Sequence, residues 1–435
     1  MPNFFPFLDQ LEILPEWEAA AARFLEQGGT VMVLGGPDTG KSTLCRYLVY
    51  RAYVAGLPGA LVDLDLGQSH LGPPAALGLG LFPPRLPGED GLFPEALYFI
   101  GQTSPMGATL EVAVGCRVLA DEAAHRGVTR VVVNTSGLIQ GPAALRLKQA
   151  QAELLNPSLI FALQREKELE PLLRALGGKD LDFPGEPIPP TPGGMDEGAK
   201  PESSPVGAGL PRPYGGPADN ILSENASPRT GGTLPTSNPE AGPSQDPEIY
   251  AAAHGRLIRL FLSSRVTLRS PEERRRYREA RFRGYFHQAR RLNLPLVSLV
   301  WEGRPWGHGE PLSLAALGQF SRDLGAPALY GESQGDRVFL LVEDAPGVHG
   351  ASAPETPAEG AAVRRISWQS LKWRLVGLLD AHRRTLALAI ILPAPWPPDA
   401  LPLWTPLPPE AAIRVRFIKA GKMQLNLEGR EISHV

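Results

Sequence analysis

The sequence predicts an α/β fold, a parallel β-sheet flanked by helices, with a mainly β C-terminal domain. In the first 178 of the 435 residues, short apolar runs alternate with segments of helical periodicity, an alternation typical of βαβ units. From about residue 291 onward, short apolar runs are separated by many turns, a pattern that indicates consecutive strands. A chain of this length has room for two or more domains.

The strands predicted in the first part are Thr30–Leu34, Ala60–Leu64, Leu97–Ile100, Arg130–Val133 and Leu159–Leu163. The helices predicted between them are Ser42–Ala55, Leu110–His125 and Ala143–Leu155. A later apolar run, Arg256–Leu262, is expected to return to the same sheet as its last strand. In the C-terminal region we expect one helix, around Ser367–His382.

The stretch between these parts has a different composition. Residues 181–250 contain 15 Pro and 11 Gly. A segment of this composition buries too little apolar surface to offset the entropy cost of ordering. We therefore predict a disordered, acidic linker over 179–248 and a second disordered loop over about 344–361. The α/β domain then comprises 1–178 and 249–290, and the C-terminal domain comprises 291–435.

Composition excludes several classes of protein. The net charge of -3 excludes a wholly basic nucleic-acid binder but not a local basic patch. Two cysteines, Cys45 and Cys116, cannot form a disulfide framework or a four-cysteine zinc site, and they fit a reducing cytoplasm. No apolar run reaches 18 residues and the N-terminus lacks the features of a signal peptide, so we expect a cytoplasmic protein without a membrane span. The oligomeric state stays open.

The strongest motif follows the first predicted strand and opens the first helix. It matches G-x-x-x-x-G-K-S, a P-loop whose backbone N–H groups bind phosphate at a helix N-terminus. The motif predicts a P-loop NTPase-type sheet, with Lys41 on the β- and γ-phosphates and Ser42 on Mg²⁺. The nucleotide-binding residues predicted from it are Gly36, Pro37, Asp38, Thr39, Gly40, Lys41, Ser42 and Thr43.

Carboxylates follow the second predicted strand. Asp63 and Asp65 are two residues apart and share one face of that strand. Ligands of parallel sheets bind at the carboxyl ends of the strands, where one carboxylate can hold Mg²⁺ through water or accept a proton from an attacking hydroxyl. The alternative is a solvated strand end or a helix cap.

An arginine-rich helix is predicted from Ser270, whose side chain caps the helix with Glu273 in a capping box. Arg274, Arg278 and Arg281 lie at i, i+4 and i+7 and so share one face. Guanidinium groups bind phosphate bidentately. This helix can therefore neutralise charge during phosphoryl transfer or grip a polynucleotide backbone; the alternative is a solvated helix with surface ion pairs.

Two weaker motifs also follow strands. They are the loop 101–107, which contains Thr103 and Ser104, and the segment 134–137, which contains Thr135 and Gly137. Both either line the site or are ordinary turns. We assign a substrate-binding role to Gln68, Thr103, Ser104, Thr135 and Gly137.

Four segments together resemble the P-loop polynucleotide 5′-hydroxyl kinases related to the mRNA cleavage-and-polyadenylation kinase subunit and the rRNA-processing kinase. These segments are Gly36–Thr43, Asp63–Gln68 with Pro73-Pro74 after it, Asn134–Gly137, and the arginine helix ending Arg281–Phe286. The resemblance covers roughly 15–178 and 250–290. It implies ATP-dependent transfer of the γ-phosphate to a 5′-hydroxyl end of RNA or DNA. The sequence leaves open whether GTP can replace ATP as the donor.

The resemblance also implies residue roles. Lys41 holds the phosphates, Ser42 holds Mg²⁺, and Asp65 activates the 5′-hydroxyl. One or more of Arg274, Arg275 and Arg278 act as the lid. Asp65 is also a predicted metal ligand.

The chain departs from the family pattern at Leu138, where the family has a Trp implied to clamp nucleic acid. About 29 residues precede the first strand, and from this we expect a prokaryotic-type enzyme without the eukaryotic N-terminal β domain. Two other functions stay open. One is a P-loop NTPase or nucleotide sensor without kinase activity, and the other is a nucleotide-binding scaffold in RNA processing.

Overall fold

The computed structural model describes residues 11–82, 94–177, 256–302, 306–343, 362–393 and 400–434. The predicted linker 179–248 and the predicted loop 344–361 lie outside these described residues. Within the described ranges, no helix is long and apolar enough to cross a membrane.

The first part of the chain alternates strands and helices as predicted. Its strands are β1 (Gly29–Gly35), β2 (Gly59–Asp63), β3 (Ala76–Phe82), β4 (Ala96–Phe99), β5 (Arg130–Asn134), β6 (Leu159–Leu163) and β7 (Leu257–Leu260). Its helices are α1 (Pro15–Gln27), α2 (Lys41–Val54), α3 (Thr109–His125), α4 (Gly141–Leu155) and α5 (Glu170–Gly177). Every strand and helix predicted here is present with its ends shifted by at most two residues, whereas α1, α5 and β3 were not predicted.

These strands form one sheet in the order β4-β3-β2-β5-β1-β6-β7. The strands β2, β5, β1, β6 and β7 are parallel, while β3 pairs antiparallel with both β2 and β4, so that β4 runs in the same direction as the parallel strands. The return of β7 to this sheet is confirmed. Parallel strands buried on both faces are almost continuously apolar, and all five residues of β2 are buried.

Helices cover both faces of this sheet. On one face α1 and α2 place Trp17, Phe24 and Leu48 against β1 and β6. On the other face α3 and α4 place Val112 and Leu147 against β2 and β5. The predicted helix-flanked sheet is therefore confirmed, as a mixed sheet with a parallel centre.

The rest of the chain is mainly β, as predicted. Helix α6 (Pro271–Phe286) comes first and has the predicted capping box between Ser270 and Glu273. The strands are β8 (Arg290–Pro295), β9 (Val300–Glu302), β10 (Glu310–Pro311), β11 (Ala328–Gln334), β12 (Arg337–Val342), β13 (Ala362–Ser367), β14 (Arg374–Leu379), β15 (Thr385–Ile391), β16 (Ala400–Thr405), β17 (Phe417–Leu425) and β18 (Glu431–His434), with helix α7 (Leu314–Leu324) between β10 and β11.

The helix predicted around Ser367–His382 is wrong. That segment contains the end of β13, a short 3₁₀ turn at Trp368–Ser370 and strand β14. All six residues of β14 are buried. A buried strand and a buried helix segment cannot be distinguished by periodicity alone when the apolar run is short; the described helix of this region is α7 instead.

The C-terminal strands continue the sheet of the first part. The sheet runs on from β4 through β15, β14 and β17 to β18, and at the junction Thr385 pairs with Leu97. Strands β10 to β13 form a separate four-stranded sheet. Beside the junction, the N–H of Lys422 donates to the carbonyl of Gly101 at 2.8 Å, so the backbones of the two parts are in direct contact.

We predict that Gly101→Ala destabilises the protein through this contact. A Cβ at Gly101 would lie 2.4 Å from Cα of Gly421, and Gly101 has a φ of +90°. Strain at positive φ costs about 1–2 kcal/mol, and overpacking adds roughly 1–3 kcal/mol. Gly127→Ala is the matched control, because Gly127 has a φ of +74° and open space around it. Thermal unfolding should show a clearly larger loss for Gly101→Ala; equal losses would contradict the close contact.

Candidate active site

A cleft of about 640 Å³ lies at the carboxyl ends of the parallel strands. It is bounded by the P-loop after β1, by the loops after β2, β4 and β5, by the segment from Ser263 to Arg278, and by Leu11, Glu12 and Trp17. Parallel sheets bind ligands at this edge. Segments that are far apart in the sequence therefore meet in one place.

The P-loop holds its lysine inside the protein. Only 5% of Lys41 is exposed, and its Nζ donates to the carbonyl of Gly36 at 2.5 Å. Burial lowers the pKa of Lys41, while the charge of Asp65 opposes that shift. Thr39 closes the loop through a 3.0 Å bond from Oγ1 to the same carbonyl, and Gly40 takes a left-handed φ of +84° before α2. A buried ammonium that donates to a backbone carbonyl, which carries no charge, is suited to bind an anionic phosphate.

The two carboxylates after β2 have different environments. Asp63 is fully buried; its Oδ1 accepts from the N–H of Asp65 at 3.1 Å and its Oδ2 from the N–H of His70 at 2.7 Å. Burial, and then the charge of Asp65, raise the pKa of Asp63 to about 6. Asp65 lines the cleft and accepts from Gly67 and Gln68 N–H groups at 3.1 and 3.0 Å. Asp63 thus shapes the loop, and Asp65 faces the cleft.

Asn134, at the end of β5, connects Ser42, which follows the P-loop lysine, to the carboxylate of Asp63. Its Nδ2 donates to Ser42 Oγ at 3.1 Å and to Asp63 Oδ1 at 2.9 Å. Its buried Oδ1 has no hydrogen-bond partner among the described residues. The hydroxyl of Ser42, the carboxylate of Asp65 and the amide oxygen of Asn134 are oxygen groups of the type that Mg²⁺ prefers as ligands.

The segment before α6 closes over the P-loop. Asp38 Oδ2 accepts from Arg274 Nη2 at 2.6 Å and from the N–H of Arg269 at 3.0 Å. Burial raises the pKa of Asp38, but these hydrogen bonds outweigh burial and hold it below its usual value. Gln68 adds a second link, because its Oε1 accepts from Arg269 and its Nε2 donates to the carbonyl of Arg274.

The arginines of α6 do not all face the cleft. Arg274 and Arg278 line it. Arg281 donates to the carbonyls of His70 and Gly72, both at 3.0 Å. Arg275 does not line the cleft; it donates to Glu279 and to the carbonyl of Glu431.

The predicted substrate-binding residues also divide. Gln68, Thr103, Ser104 and Gly137 line the cleft, as does Leu138. A Cβ at Gly137 would lie 3.0 Å from the backbone N of Pro37, so glycine allows this loop to pack on the P-loop. Thr135 does not line the cleft; it is buried and its Oγ1 donates to the carbonyl of Val33 at 2.7 Å.

Several cleft residues were not predicted. Arg46 lines the cleft one helical turn after Ser42, a spacing that placed both on one face of α2. Trp17 lines it from α1, where its Nε1 donates to the carbonyl of Phe261 at 3.0 Å. No local motif marked Trp17, because this placement depends on α1 packing beside β7.

A buried lysine supports the loop after β5 from behind. Lys148 on α4 is fully buried, and its Nζ donates to the carbonyl and Oγ of Ser136 at 3.0 and 3.2 Å. Burial, and then the charge of Lys41, lower the pKa of Lys148 to about 7. Ser136 lines the cleft, so this buried cation fixes part of the cleft wall.

The chain is similar to known proteins. Residues 35–191 match a family described as the mRNA cleavage and polyadenylation factor CLP1 P-loop. A polyribonucleotide 5′-hydroxyl-kinase of Pyrococcus horikoshii is 23% identical over 409 residues, which are 94% of this chain and 89% of that protein. The polyribonucleotide 5′-hydroxyl-kinase Clp1 of Xenopus tropicalis is 30% identical over 172 residues, 38% of this chain and 39% of that protein.

The fold is also similar to a solved structure. The structure of wild-type Clp1p in complex with Pcf11p superposes with a TM-score of 0.53 at 11% identity, covering 93% of this chain and 77% of that chain. At this identity the similarity is one of fold. It supports the predicted P-loop type of sheet with a β-rich C-terminal part.

We predict that Asp38→Ala loosens the closed segment. The change removes the acceptor shared by Arg274 and Arg269, and a hydrogen bond to a charged group contributes roughly 1.5 kcal/mol or more. Amide exchange followed by mass spectrometry should be about tenfold faster over 266–278. Asp121→Ala, which removes only the exposed ion pair with Arg117, is the control; an unchanged exchange rate in Asp38→Ala would contradict the closure.

We also predict that Lys148 makes stability depend on pH. Its pKa falls from 10.5 to about 7 on folding, so between these values the unfolded state binds more protons. The free energy of unfolding of the wild type, relative to Lys148→Met, should therefore be lowest below pH 7 and should rise toward pH 10. Urea unfolding at several pH values measures this difference. Lys167→Met, at an exposed lysine, should keep the wild-type slope; parallel curves for Lys148→Met would contradict the low pKa.

Proposed function

We propose that the protein is a polynucleotide 5′-hydroxyl kinase. It transfers the γ-phosphate of ATP to the 5′-hydroxyl end of RNA or DNA. Residues 35–191 match the family described as the mRNA cleavage and polyadenylation factor CLP1 P-loop, in agreement with the sequence motifs. One observation carries this proposal. The P-loop, Asp65 and the arginines Arg274 and Arg278 line a single cleft. Relatives that match most of the chain are named for this activity.

The donor nucleotide binds on the P-loop. When the nucleotide binds, Lys41 exchanges the carbonyl of Gly36 for phosphate oxygens. The buried ammonium then has an anionic partner, which offsets the cost of its burial. Ser42 and Asp65, with the amide of Asn134 beside them, would hold Mg²⁺, which neutralises charge on the phosphates. Leu11, Trp17 and Val266 line the same cleft and supply an apolar surface for the base. ATP and GTP share the phosphate chemistry, and GTP is a possible donor on these contacts.

The acceptor hydroxyl is activated by Asp65. Its carboxylate takes the proton of the 5′-hydroxyl while the oxygen bonds to the γ-phosphorus and the β-γ bridging oxygen leaves with the diphosphate. Backbone N–H groups of Gly67 and Gln68 fix the carboxylate in place. Gln68, Thr103, Ser104 and Gly137 line the wall on which the acceptor end would lie.

The lid arginines neutralise the transferring group. Arg274 and Arg278 line the cleft, and guanidinium groups bind phosphoryl oxygens bidentately. Arg275 is left out of this role because it lies outside the cleft wall. Two buried and unpaired cysteines, Cys45 and Cys116, support the proposed cytoplasmic location.

A second function keeps one observation in its favour. Leu138 lines the cleft at the position where the polynucleotide kinase family has a Trp. A leucine side chain cannot stack on a nucleic-acid base as a Trp would. This favours a P-loop NTPase, or a nucleotide-binding scaffold in RNA processing, over a kinase. The two proposals differ in whether phosphate reaches a nucleic acid, and the next experiment separates them.

We predict that Lys41→Ala abolishes phosphate transfer and that Asp65→Asn lowers kcat by about 10²–10⁴-fold. The protein, Mg²⁺ and γ-labelled ATP are incubated with 5′-hydroxyl RNA and DNA oligonucleotides, and the label on the oligonucleotide is measured. Lys41→Ala removes the phosphate-binding ammonium. Asp65→Asn keeps the shape of the residue but removes the proton acceptor, so the KM for ATP should change only a few-fold.

The matched controls are Lys167→Ala, at an exposed position, and Asp121→Asn, at a partly exposed one; neither residue lines the cleft. Both should retain the wild-type rate. Hydrolysis of ATP by the wild type without label on any oligonucleotide would favour the NTPase. A loss in Asp65→Asn that appears only in the KM for ATP would reduce Asp65 to a metal ligand.

A further inference from the structure

The last strand of the chain contacts a lid arginine. Nε of Arg278 donates to Oε1 of Glu431 at 2.6 Å, and Nη2 donates to Oε2 at 3.1 Å. Only 17% of the Arg278 side chain and 8% of the Glu431 side chain are exposed. The pair is therefore a bidentate and largely desolvated ion pair, in which loss of one partner is costly.

The same strand region anchors the end of the lid helix. Phe282 and Phe286 of α6 are buried in a cluster with Met423 and Leu425 of β17. The hydroxyl of Tyr285 accepts from the N–H of Leu388 at 2.9 Å. The C-terminal half of α6 is thus packed in a cluster shared by the C-terminal strands and by Ala75, Ala76 and Phe99 of the first part, and this packing fixes where Arg278 lies beside the cleft.

We propose that Glu431 is the positioning residue for Arg278, so that the C-terminal β region completes the phosphoryl-transfer site. This inference rests on the proposed function. A guanidinium has five N–H donors arranged along its planar edges. Glu431 engages the edge formed by Nε and Nη2, and the edge formed by Nη1 and Nη2 is the one that binds the transferring phosphoryl group.

The physical benefit is orientation. A free arginine side chain has about 2 kcal/mol of rotamer entropy to lose when it binds, and Glu431 fixes the side chain before the nucleotide arrives. Misplacement of a catalytic group by about 1 Å can cost 100-fold in rate. The other lid arginine is held in a similar way, by Asp38 of the P-loop. Each cleft-lining lid arginine therefore has its own carboxylate, one from each part of the chain.

The test is the kinetics of Glu431→Ala and Glu431→Gln. Glu431→Ala should lower kcat by about 10- to 100-fold with little change in the KM for ATP. Glu431→Gln keeps one acceptor oxygen and should recover part of the loss. In an Arg278→Ala background, Glu431→Ala should cause no further loss, because its effect passes through that arginine. Glu428→Ala, three residues away in an exposed ion pair with Arg430, is the control and should keep the wild-type kcat.

Each other result overturns the inference. An equal loss in both backgrounds, together with a lower melting temperature, would make Glu431 a structural residue. A higher kcat in Glu431→Ala would mean that Glu431 withholds Arg278 from the substrate, and an unchanged kcat would mean that the pair has no role in the reaction. If the wild type transfers no phosphate, the proposed function fails and the inference fails with it; a failure of the inference alone leaves the wild-type activity intact.

Discussion

The site depends on the buried carboxylate of Asp63. A buried charge is costly unless hydrogen bonds compensate it, and Asp63 obtains these bonds from Asp65, His70 and Asn134. The same bonds join the end of β2 to the end of β5 and fold the following loop back toward the P-loop. Asp65 and Gln68 reach the cleft because that loop is held, and Ser42 is tied in through Asn134. The positions of Ser42 on the nucleotide side of the cleft and of Asp65 and Gln68 on the acceptor side thus follow from the buried hydrogen bonds of Asp63.

A second constraint is charge balance around the cleft. The protein places a lysine and several arginines beside it, and without anions these cations would repel one another. Asp38 and Glu431 pair with Arg274 and Arg278, and Lys41 lies against a backbone carbonyl. A guanidinium has more than one edge of N–H donors, so it can pair with a carboxylate and still bind a phosphate. The closed arrangement therefore keeps each cation close to where it is needed and leaves it able to bind phosphate.

Much of the fold could be predicted from the sequence because its signals are local. The apolar runs of β1, β2, β5 and β6 and the P-loop need no tertiary information. Strand β3 was missed because its sequence, ALGLGLF, contains two glycines, which weaken a strand signal. The site was partly predictable for the same reason. Asp65 and Arg278 follow from motif and spacing, whereas the burial of Thr135 and the outward position of Arg275 depend on packing against β1 and β18.

The two halves of α6 are held by different kinds of interaction. The first half is held by polar contacts to Asp38, Gln68 and Glu431. The second half also buries Phe282 and Phe286 in the core, beside the hydrogen bonds of Arg281 and Tyr285. A guanidinium that is held on one edge by a carboxylate can still bind a phosphate with its other edge, whereas a buried aromatic ring such as Phe282 fixes the helix in place. Arg278 can therefore gain a phosphate partner over the cleft while Glu431 and the fixed end of the helix hold its position. In this arrangement the C-terminal β region is the rigid base on which the lid arginines act.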